Sequence, residues 1–206
     1  MKTIYVMFST THTGAGSLIR KVTGFKYNHV SIGFDPQSDI WYSFARVNLA
    51  LPLTGGFVKE SHDRLCDGGD ISVCVCACKV SNAQYRRIRD TIAYFSQEAN
   101  SAYNYLAAAL TPVNLYVYTP DTFTCISFVV HCLQRKTVSI EQLYHELSDD
   151  IVYVGSYMNL TSKYQQNPDF QYFCHLGKLY TLKMVLCNWH MLLYRYAYYT
   201  SISYRR

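Results

Sequence analysis

The sequence is short of charged side chains and of long apolar runs, and both shortages exclude whole classes of protein. Only 16% of its 206 residues are charged while 50% are apolar, so it lacks the charge-rich composition of a disordered protein. No stretch reaches about 18 uninterrupted apolar residues, the least that spans a bilayer as a helix, and we expect no membrane span. The segment THTGAG lacks the GKS or GKT ending of a phosphate-binding loop, which argues against a nucleotide site.

A secretory signal is also missing from the N-terminal segment MKTIYVMFSTT, where a short apolar run precedes polar residues without a small-residue cleavage site. We therefore expect a cytoplasmic protein whose eight cysteines are free thiols. Three of them alternate as CVCAC, so Cys74, Cys76 and Cys78 share one strand face in a line too extended for a tetrahedral zinc ion. We expect these three in the core, and neither a metal nor another cofactor.

What the chain does contain is 20 tyrosines and a formal net charge of +5. Tyrosine combines a large apolar ring with a polar tip, which suits clefts and interfaces. The positive excess is mild and lies largely at the C-terminus, so it fits weak attraction to anionic surfaces and does not indicate a nucleic-acid partner. The composition turns aromatic and basic near residue 159. We therefore divide the chain into a domain at 1–157 and a C-terminal extension at 158–206 with one amphipathic helix.

Alternating and helical periodicities along the chain predict an α+β fold. The segment LPLTGGFVKES is interpreted as a Gly-containing loop, and YNYLAAALTPVNLYVY is ambiguous between helix and strand. Strands are expected at 4–9, 29–34, 40–46, 71–80 and 149–157. Helices are expected at 17–23, 81–99, 139–147 and in the segment that carries Cys125.

Cys125 lies in YTPDTFTCISFVVHCL, near the start of a mostly apolar helix for which Thr122 or Thr119 is the expected N-cap. With Thr122 as the N-cap, Cys125 is the third helical residue. Unpaired N–H groups and the helix dipole favour an ionised thiol there, so Cys125 is a candidate nucleophile. The alternative is an ordinary buried thiol, because free cysteines are among the most buried residues.

His29 begins the strand in KYNHVSIGF and is the candidate base. With DPQSD as the turn of a hairpin, Phe34 pairs near Ile40, and His29 then lies opposite Ala45. This register places His29 on the less apolar face of the hairpin, where a cleft is expected, and leaves the opposite face to the core. A histidine on a strand surface is the alternative.

The third group of a catalytic triad is harder to assign. Ser43 is the polar side chain of the neighbouring strand that shares the face of His29, and it is our candidate to orient the imidazole. A serine carries no charge to stabilise an imidazolium. Glu60, from the Gly-containing segment, is a possible substitute.

The order of these motifs resembles the circularly permuted branch of the NlpC/P60 papain-like superfamily, which includes lecithin:retinol acyltransferase-like proteins and bacterial YiiX-like hydrolases. The resemblance rests on NHVSIGFD and WYSFAR, followed by FTCISFVVHCL and IVYVGS, and it covers about residues 1–157. It implies a papain-like domain in which an antiparallel sheet packs against the nucleophile helix, with Cys125 as the nucleophile and His29 as its base. Ser43 falls where relatives often place His or Glu, a departure from the family pattern.

The chemistry that this resemblance implies is acyl transfer through a thioester. We expect a cysteine hydrolase that cleaves an amide bond in a peptide or a peptidoglycan fragment. Two alternatives stay open. One is an acyltransferase or thioesterase that acts on an acyl lipid, with peripheral membrane contact through residues 176–206. The other is a non-catalytic binding domain, which the weak orienting group Ser43 suggests. The sequence does not indicate an oligomeric state.

Overall fold

The computed structural model describes residues 1–12, 14–49, 51, 54–97, 101–110, 119, 121–161, 170–174 and 177–203. Within these ranges the strands are β1 (Lys2–Ser9), β2 (His29–Gly33), β3 (Trp41–Arg46), β4 (Gly55–Glu60), β5 (Ser72–Val80), β6 (Ala102–Tyr103), β7 (Thr122–Phe123) and β8 (Ile151–Ser156). The helices are α1 (Gly14–Thr23), α2 (His62–Leu65), α3 (Asn82–Gln97), α4 (Tyr105–Leu110), α5 (Cys125–Leu133), α6 (Ile140–Glu146), α7 (Tyr157–Leu160), α8 (Phe170–Phe173) and α9 (Lys178–Ser203).

Six strands form one antiparallel sheet in the order β4-β3-β2-β1-β5-β8. The central strand β1 pairs with β2 on one side and with β5 on the other. The short strands β6 and β7 form a separate parallel pair. The α+β class that the periodicity predicts and the antiparallel sheet that the resemblance implies are therefore confirmed. So is the hairpin register, since Ile32 lies opposite Tyr42.

One face of the sheet packs against helices α3 and α5 and forms the main core. The alternating apolar residues of β1, β2 and β5 supply its floor, among them Cys74, Cys76 and Cys78, which are buried as predicted. Phenylalanine rings from β3, β4, β7 and both helices meet in tilted and edge-to-face contacts and in one stacked pair, Phe57 on Phe95. The centroid distances run from 5.1 to 6.0 Å between neighbouring members of this group: Phe44, Phe57, Phe95, Phe123 and Phe128.

The opposite face is also covered, which corrects the expectation of an open, polar side on the hairpin. Met7 and Trp41 are fully buried there together with Tyr157 and neighbouring side chains of β5. The Tyr157 hydroxyl donates to Asp39 at 2.8 Å and fastens this second layer. A fully buried Trp41 explains the difference, because its large apolar area needs a cover on the face that it shares with His29.

The predicted loop LPLTGGFVKES is wrong over its second half, where Gly55–Glu60 forms edge strand β4 beside β3. Two glycines begin this strand because other chain segments approach its backbone closely. A Cβ atom at Gly55 would lie 2.6 Å from the Cβ of Tyr103, and one at Gly56 would lie 2.8 Å from the carbonyl oxygen of Ser101. The glycines therefore mark tight packing within a strand.

The C-terminal extension packs on the domain through aromatic side chains. The Trp189 ring of α9 stacks on Tyr105, with centroids 5.8 Å apart, and the Tyr172 carbonyl accepts the Leu49 N–H at 2.9 Å. The Arg195 guanidinium donates to the carbonyl of Asp121 at 2.8 Å. Among the described helices none is long and apolar enough to cross a membrane.

Candidate active site

Helix α5 begins at Cys125 with a reciprocal capping arrangement. Thr124 is the N-cap, and its hydroxyl accepts the Ser127 N–H at 3.2 Å. The Ser127 hydroxyl in turn accepts the Thr124 N–H at 2.8 Å. The expected cap at Thr122 is wrong because Thr122 belongs to β7, which pairs with β6. Cys125 is consequently the first residue of the helix.

This cap leaves two amide donors at the helix start. The N–H of Ser127 is satisfied by Thr124, and the N–H of Phe128 donates to the Thr124 carbonyl at 3.1 Å. The N–H groups of Cys125 and Ile126 have no acceptor within the described ranges. Such unpaired donors at a helix N-terminus carry partial positive charge and suit an anion or a developing oxyanion.

His29 opens β2 and is held there by the residue before it. The Asn28 N–H donates to the Ser9 carbonyl at 3.1 Å. The Asn28 side-chain oxygen accepts from the Thr11 N–H at 2.9 Å and from the Arg20 guanidinium at 2.7 Å. These bonds fix the chain where His29 enters the sheet, and the imidazole itself is buried.

The imidazole of His29 contacts the carboxylate of Glu60 at the end of β4. Nε2 lies 2.9 Å from Oε1 and 3.1 Å from Oε2. Both side chains are buried, with Glu60 only 2% exposed. A carboxylate in this position fixes the orientation and tautomer of the ring, the part that the third group of a catalytic triad has.

The Cys125 thiol lies close enough to His29 to act on the ionisation of the imidazole. Both Glu60 oxygens lie at Nε2, which leaves Nδ1 as the ring nitrogen without a hydrogen bond to the carboxylate. Burial alone would lower the pKa of His29, but the charges and hydrogen bonds of Glu60 and Cys125 raise it to about 10. The structure thus brings both predicted residues, Cys125 and His29, into one cluster.

Glu60 is held as a carboxylate by its surroundings. Burial would raise its pKa, but His29 and then Arg64 and Ser43 lower it below the ordinary value. Arg64, from the short helix α2 that follows β4, brings a second cation to this carboxylate. The negative charge of Glu60 is therefore shared between an imidazole and a guanidinium.

Ser43 lies on β3 in the expected register, but no hydrogen bond joins it to His29 among the described residues. It is fully buried, and its hydroxyl forms no hydrogen bond of ordinary length within the described part of the chain. As a donor toward Glu60 it helps to lower the pKa of that carboxyl. Glu60, which the sequence analysis gives only as a possible substitute, is the residue that hydrogen-bonds to His29. Ser43 acts on the Glu60 carboxylate and not on the imidazole.

Aromatic side chains from β6 and α4 form a wall beside the sulfur. Burial, together with the nearby charge of Cys125, raises the pKa of Tyr103 well above its usual range. The Tyr103 ring lies 4.8 Å from that of Tyr105. Sequence reasoning missed both residues, because they fall in the segment that was ambiguous between helix and strand. The only local signal was Asn104, which accepts the Ala107 N–H and starts α4.

Compared with family models, with curated proteins and with solved structures, the chain shows no significant match. Within the described ranges no three or more potential ligands are placed to hold a metal ion. A shallow cavity of about 420 Å³ lies elsewhere, lined by residues such as Tyr5, Ala77 and Tyr153. Its lining contains none of the residues His29, Glu60 and Cys125.

Proposed function

We propose that the protein is a cysteine hydrolase that cleaves an amide bond in a peptide or peptidoglycan-type substrate. The observation that carries this proposal is the buried contact of Glu60 with His29 close to the Cys125 thiol, which lies at a helix start. An imidazole paired with a thiol and oriented by a third group is the recurring arrangement of nucleophilic cysteine catalysis. A helix N-terminus beside the sulfur adds to it.

The residues support a two-step acyl transfer. The Cys125 thiolate attacks the carbonyl carbon, the C–N bond breaks, and His29 gives its proton to the leaving amine. Water then transfers a proton to His29 while its oxygen attacks the thioester, the C–S bond breaks, and the acid leaves. In both steps the N–H groups of Cys125 and Ile126 would stabilise the oxyanion, and the Glu60 carboxylate stabilises the imidazolium.

Glu60 also bears on the fold and on the non-catalytic alternative. The resemblance to circularly permuted NlpC/P60 domains implies His or Glu as the third residue, and Ser43 departed from that pattern. With Glu60 on the imidazole, the residue type agrees and the chain order His29, Glu60, Cys125 keeps the histidine ahead of the nucleophile. We infer a permuted papain-like domain, and the weak orienting group no longer argues for a binding-only protein.

Acylation by p-nitrophenyl acetate tests this function without knowledge of the natural substrate. We expect a burst of nitrophenol, an acetyl group on Cys125 in the intact-protein mass, and then slow turnover as the thioester hydrolyses. Cys125→Ala and His29→Ala should abolish the burst. Cys174→Ala should keep it, because Cys174 lies outside the site and, as an exposed thiol, controls for non-specific acylation. An acetyl group that reaches Cys174 as fast as Cys125 would contradict the proposal.

A second candidate, a hydrolase or acyltransferase directed at lipids, is favoured by helix α9. Four leucines at helical spacing are each at least 57% exposed: Leu179, Leu182, Leu186 and Leu193. The helix contains lysines and an arginine but no acidic residue, so its charge complements an anionic bilayer surface. The Trp189 stack on Tyr105 places this helix beside the aromatic wall of the site.

Vesicle binding tests that second candidate. The full-length protein should sediment with anionic phospholipid vesicles and not with zwitterionic ones, and Leu182→Gln with Leu186→Gln should weaken the binding. Val152→Gln with Val154→Gln is the matched control, since both valines of β8 are similarly exposed. Equal loss in both double variants, or binding that is indifferent to lipid charge, contradicts a membrane-directed role for α9.

A further inference from the structure

Arg46, the last residue of β3, has a half-buried guanidinium that no carboxylate neutralises within the described ranges. One of its terminal nitrogens donates to the Tyr172 hydroxyl at 2.6 Å, and its Cζ lies 5.5 Å from the centre of that ring. Its Nε is buried and has no hydrogen-bond partner among the described residues. A buried, charged donor without an acceptor is unfavourable unless a ligand supplies one.

Tyr105 presents a second donor of the same kind. Its hydroxyl is buried and has no hydrogen-bond partner in the described part of the chain. Burial raises the pKa of this phenol, and the nearby charge of Arg46 acts in the opposite direction, so the two groups lie within electrostatic reach of each other. Tyr105 is therefore a neutral O–H donor beside a guanidinium.

These two donors are connected to the nucleophile through contiguous residues. Arg46 pairs with Gly55 across the β3–β4 ladder, and the backbone of Gly55 lies against the side chain of Tyr103. The Tyr103 ring packs on Tyr105 and lies within reach of the charge on Cys125. The unpaired donors thus belong to the same side of the site as the sulfur.

The charges of the site leave room for an anion. Glu60 is shared by His29 and Arg64, whereas Arg46 has an uncharged phenol as its partner. Arg46 and Arg64 carry two positive charges and Glu60 one negative charge, so these three side chains leave one excess positive charge. An anionic group on the substrate would balance that charge.

We propose that Arg46 and the Tyr105 hydroxyl form a subsite for a free carboxylate of the substrate. Charge-assisted, forked hydrogen bonds from an arginine suit a carboxylate, and a phenol can add a third donor. The Tyr172 hydroxyl occupies the position on Arg46 that a carboxylate oxygen takes when substrate binds. The inference rests on the proposed hydrolase function and narrows its substrates to amides that carry a free carboxylate close to the cleaved bond.

Paired alkylating probes test the subsite on the full-length protein. Bromoacetyl-glycine and bromoacetyl-glycinamide differ only in a carboxylate against a carboxamide, and versions with two or three glycines vary its distance from the sulfur. The readout is the ratio of the two rates of Cys125 alkylation, followed by mass spectrometry. The variants are Arg46→Gln, Tyr105→Phe and Tyr172→Phe, with Arg86→Gln as control for the loss of one exposed arginine.

At its best spacer the carboxylate probe should react about tenfold faster than the carboxamide, the factor of one charge-assisted hydrogen bond. Arg46→Gln should remove this preference and Arg86→Gln should keep it. Tyr105→Phe should reduce it without lowering the melting temperature, since the hydroxyl has no partner to lose. Tyr172→Phe should increase it, because the competing oxygen is gone. The imidazolium of His29 also attracts the anionic probe more than the neutral one, but this contribution is the same in all four variants and cancels when their preferences are compared.

Other outcomes overturn the inference in distinguishable ways. Rapid alkylation of Cys125 with no carboxylate preference, or with a preference that Arg46→Gln leaves intact, overturns the subsite and leaves the hydrolase proposal standing. If neither probe alkylates Cys125 faster than it alkylates the exposed Cys174, the carboxylate subsite and the hydrolase proposal are both overturned. Protection of Cys125 by inorganic phosphate but not by N-acetylglycine assigns the donors to phosphate and overturns recognition of a carboxylate.

Discussion

His29 and Glu60 are 31 positions apart in the sequence, and their side chains form a buried ion pair with 2.9 Å between Nε2 and Oε1. The pair links the start of β2 to the end of β4, which are separated in the sheet by β3. Because the imidazole also lies near Cys125, the carboxylate orients the group that we propose to activate the sulfur.

Replacement of Glu60 should affect the site more than replacement of Ser43. Glu60→Gln removes the charge that keeps the imidazole cationic, and the loss of a buried, charge-assisted bond costs about 2 kcal/mol of unfolding free energy. We expect the Cys125 acylation burst to slow by about tenfold or more. Ser43→Ala is the matched control, because Ser43 is a buried residue of the neighbouring strand β3. We expect it to lower the free energy of unfolding by less than about 1 kcal/mol and to leave the burst close to that of the wild type. Equal effects of the two substitutions would mean that Ser43 matters for the orientation of His29 as much as Glu60 does.

Stability should fall with rising pH across a defined window. The pKa of His29 is raised from 6.5 to about 10 in the folded protein, so the unfolded chain loses this proton first. The stabilisation is complete below pH 6.5 and is lost progressively as the pH rises through about 10. The pKa of Glu60 is lowered from 4.5, so its contribution is present above that value and is lost on acidification. Urea unfolding from about pH 3 to about pH 10 measures both limbs.

A His29→Gln variant separates this pair from the other titrating groups. It should be less stable overall, and the decline between pH 6.5 and about 10 should become shallower. Tyrosines and cysteines that titrate in the alkaline range remain in both proteins and cancel in the comparison. Parallel curves for the variant and the wild type would show that the folded histidine has an ordinary pKa.

The cap of helix α5 positions the nucleophile, and its loss should be measurable. Thr124→Ala deletes the hydroxyl that accepts the Ser127 N–H, and we expect about 1 kcal/mol of lost stability. The acylation burst should slow as well, since Cys125 follows the cap directly. Thr124→Ser keeps the acceptor and should restore both quantities. A burst unchanged in Thr124→Ala would mean that the start of the helix does not depend on its cap.

The close approach of Tyr103 to β4 provides a steric test of the aromatic wall. Gly55→Ala would place a Cβ 2.6 Å from the Cβ of Tyr103 and 3.0 Å from the Ala45 carbonyl, and we expect about 1–3 kcal/mol of destabilisation. Gly177→Ala is the control, because a Cβ there meets no atom of the described residues within 4 Å. Chemical denaturation of both variants measures the difference. A neutral Gly55→Ala would mean that the wall yields to the added methyl group.

Local patterns were sufficient to predict the hairpin and the core face. The turn DPQSD and strict alternation fixed the register that pairs Ile32 with Tyr42, and the alternating cysteines of β5 lie in the core. These features depend on neighbours in sequence or across one tight turn. Short-range chemistry determines them, so a single sequence can reveal them.

The third residue of the site depends on contacts that a single sequence does not reveal. Glu60 lies on β4 and His29 on β2, with β3 between them in the sheet. The two glycines that begin β4 are more typical of a loop than of a strand, so local sequence predicts a loop there. The second layer over Trp41, which buries the face that alternation left open, is likewise a matter of long-range packing. Strand alternation alone places Ser43 on the face of His29 and so favours it as the orienting group. The longer side chain of a glutamate can contact the imidazole from a strand that is not its neighbour, and alternation does not predict this.

Alkylation of Cys125 by iodoacetamide at pH 6, measured in the same sample as alkylation of Cys174, tests the central claim most directly. Cys174 is exposed and Cys125 is 8% exposed, so accessibility alone favours Cys174. The account predicts that Cys125 nevertheless reacts faster, because an imidazolium held by Glu60 keeps its sulfur nucleophilic, and that His29→Ala reverses the order. A slower Cys125, or a rate that His29→Ala leaves unchanged, would contradict it.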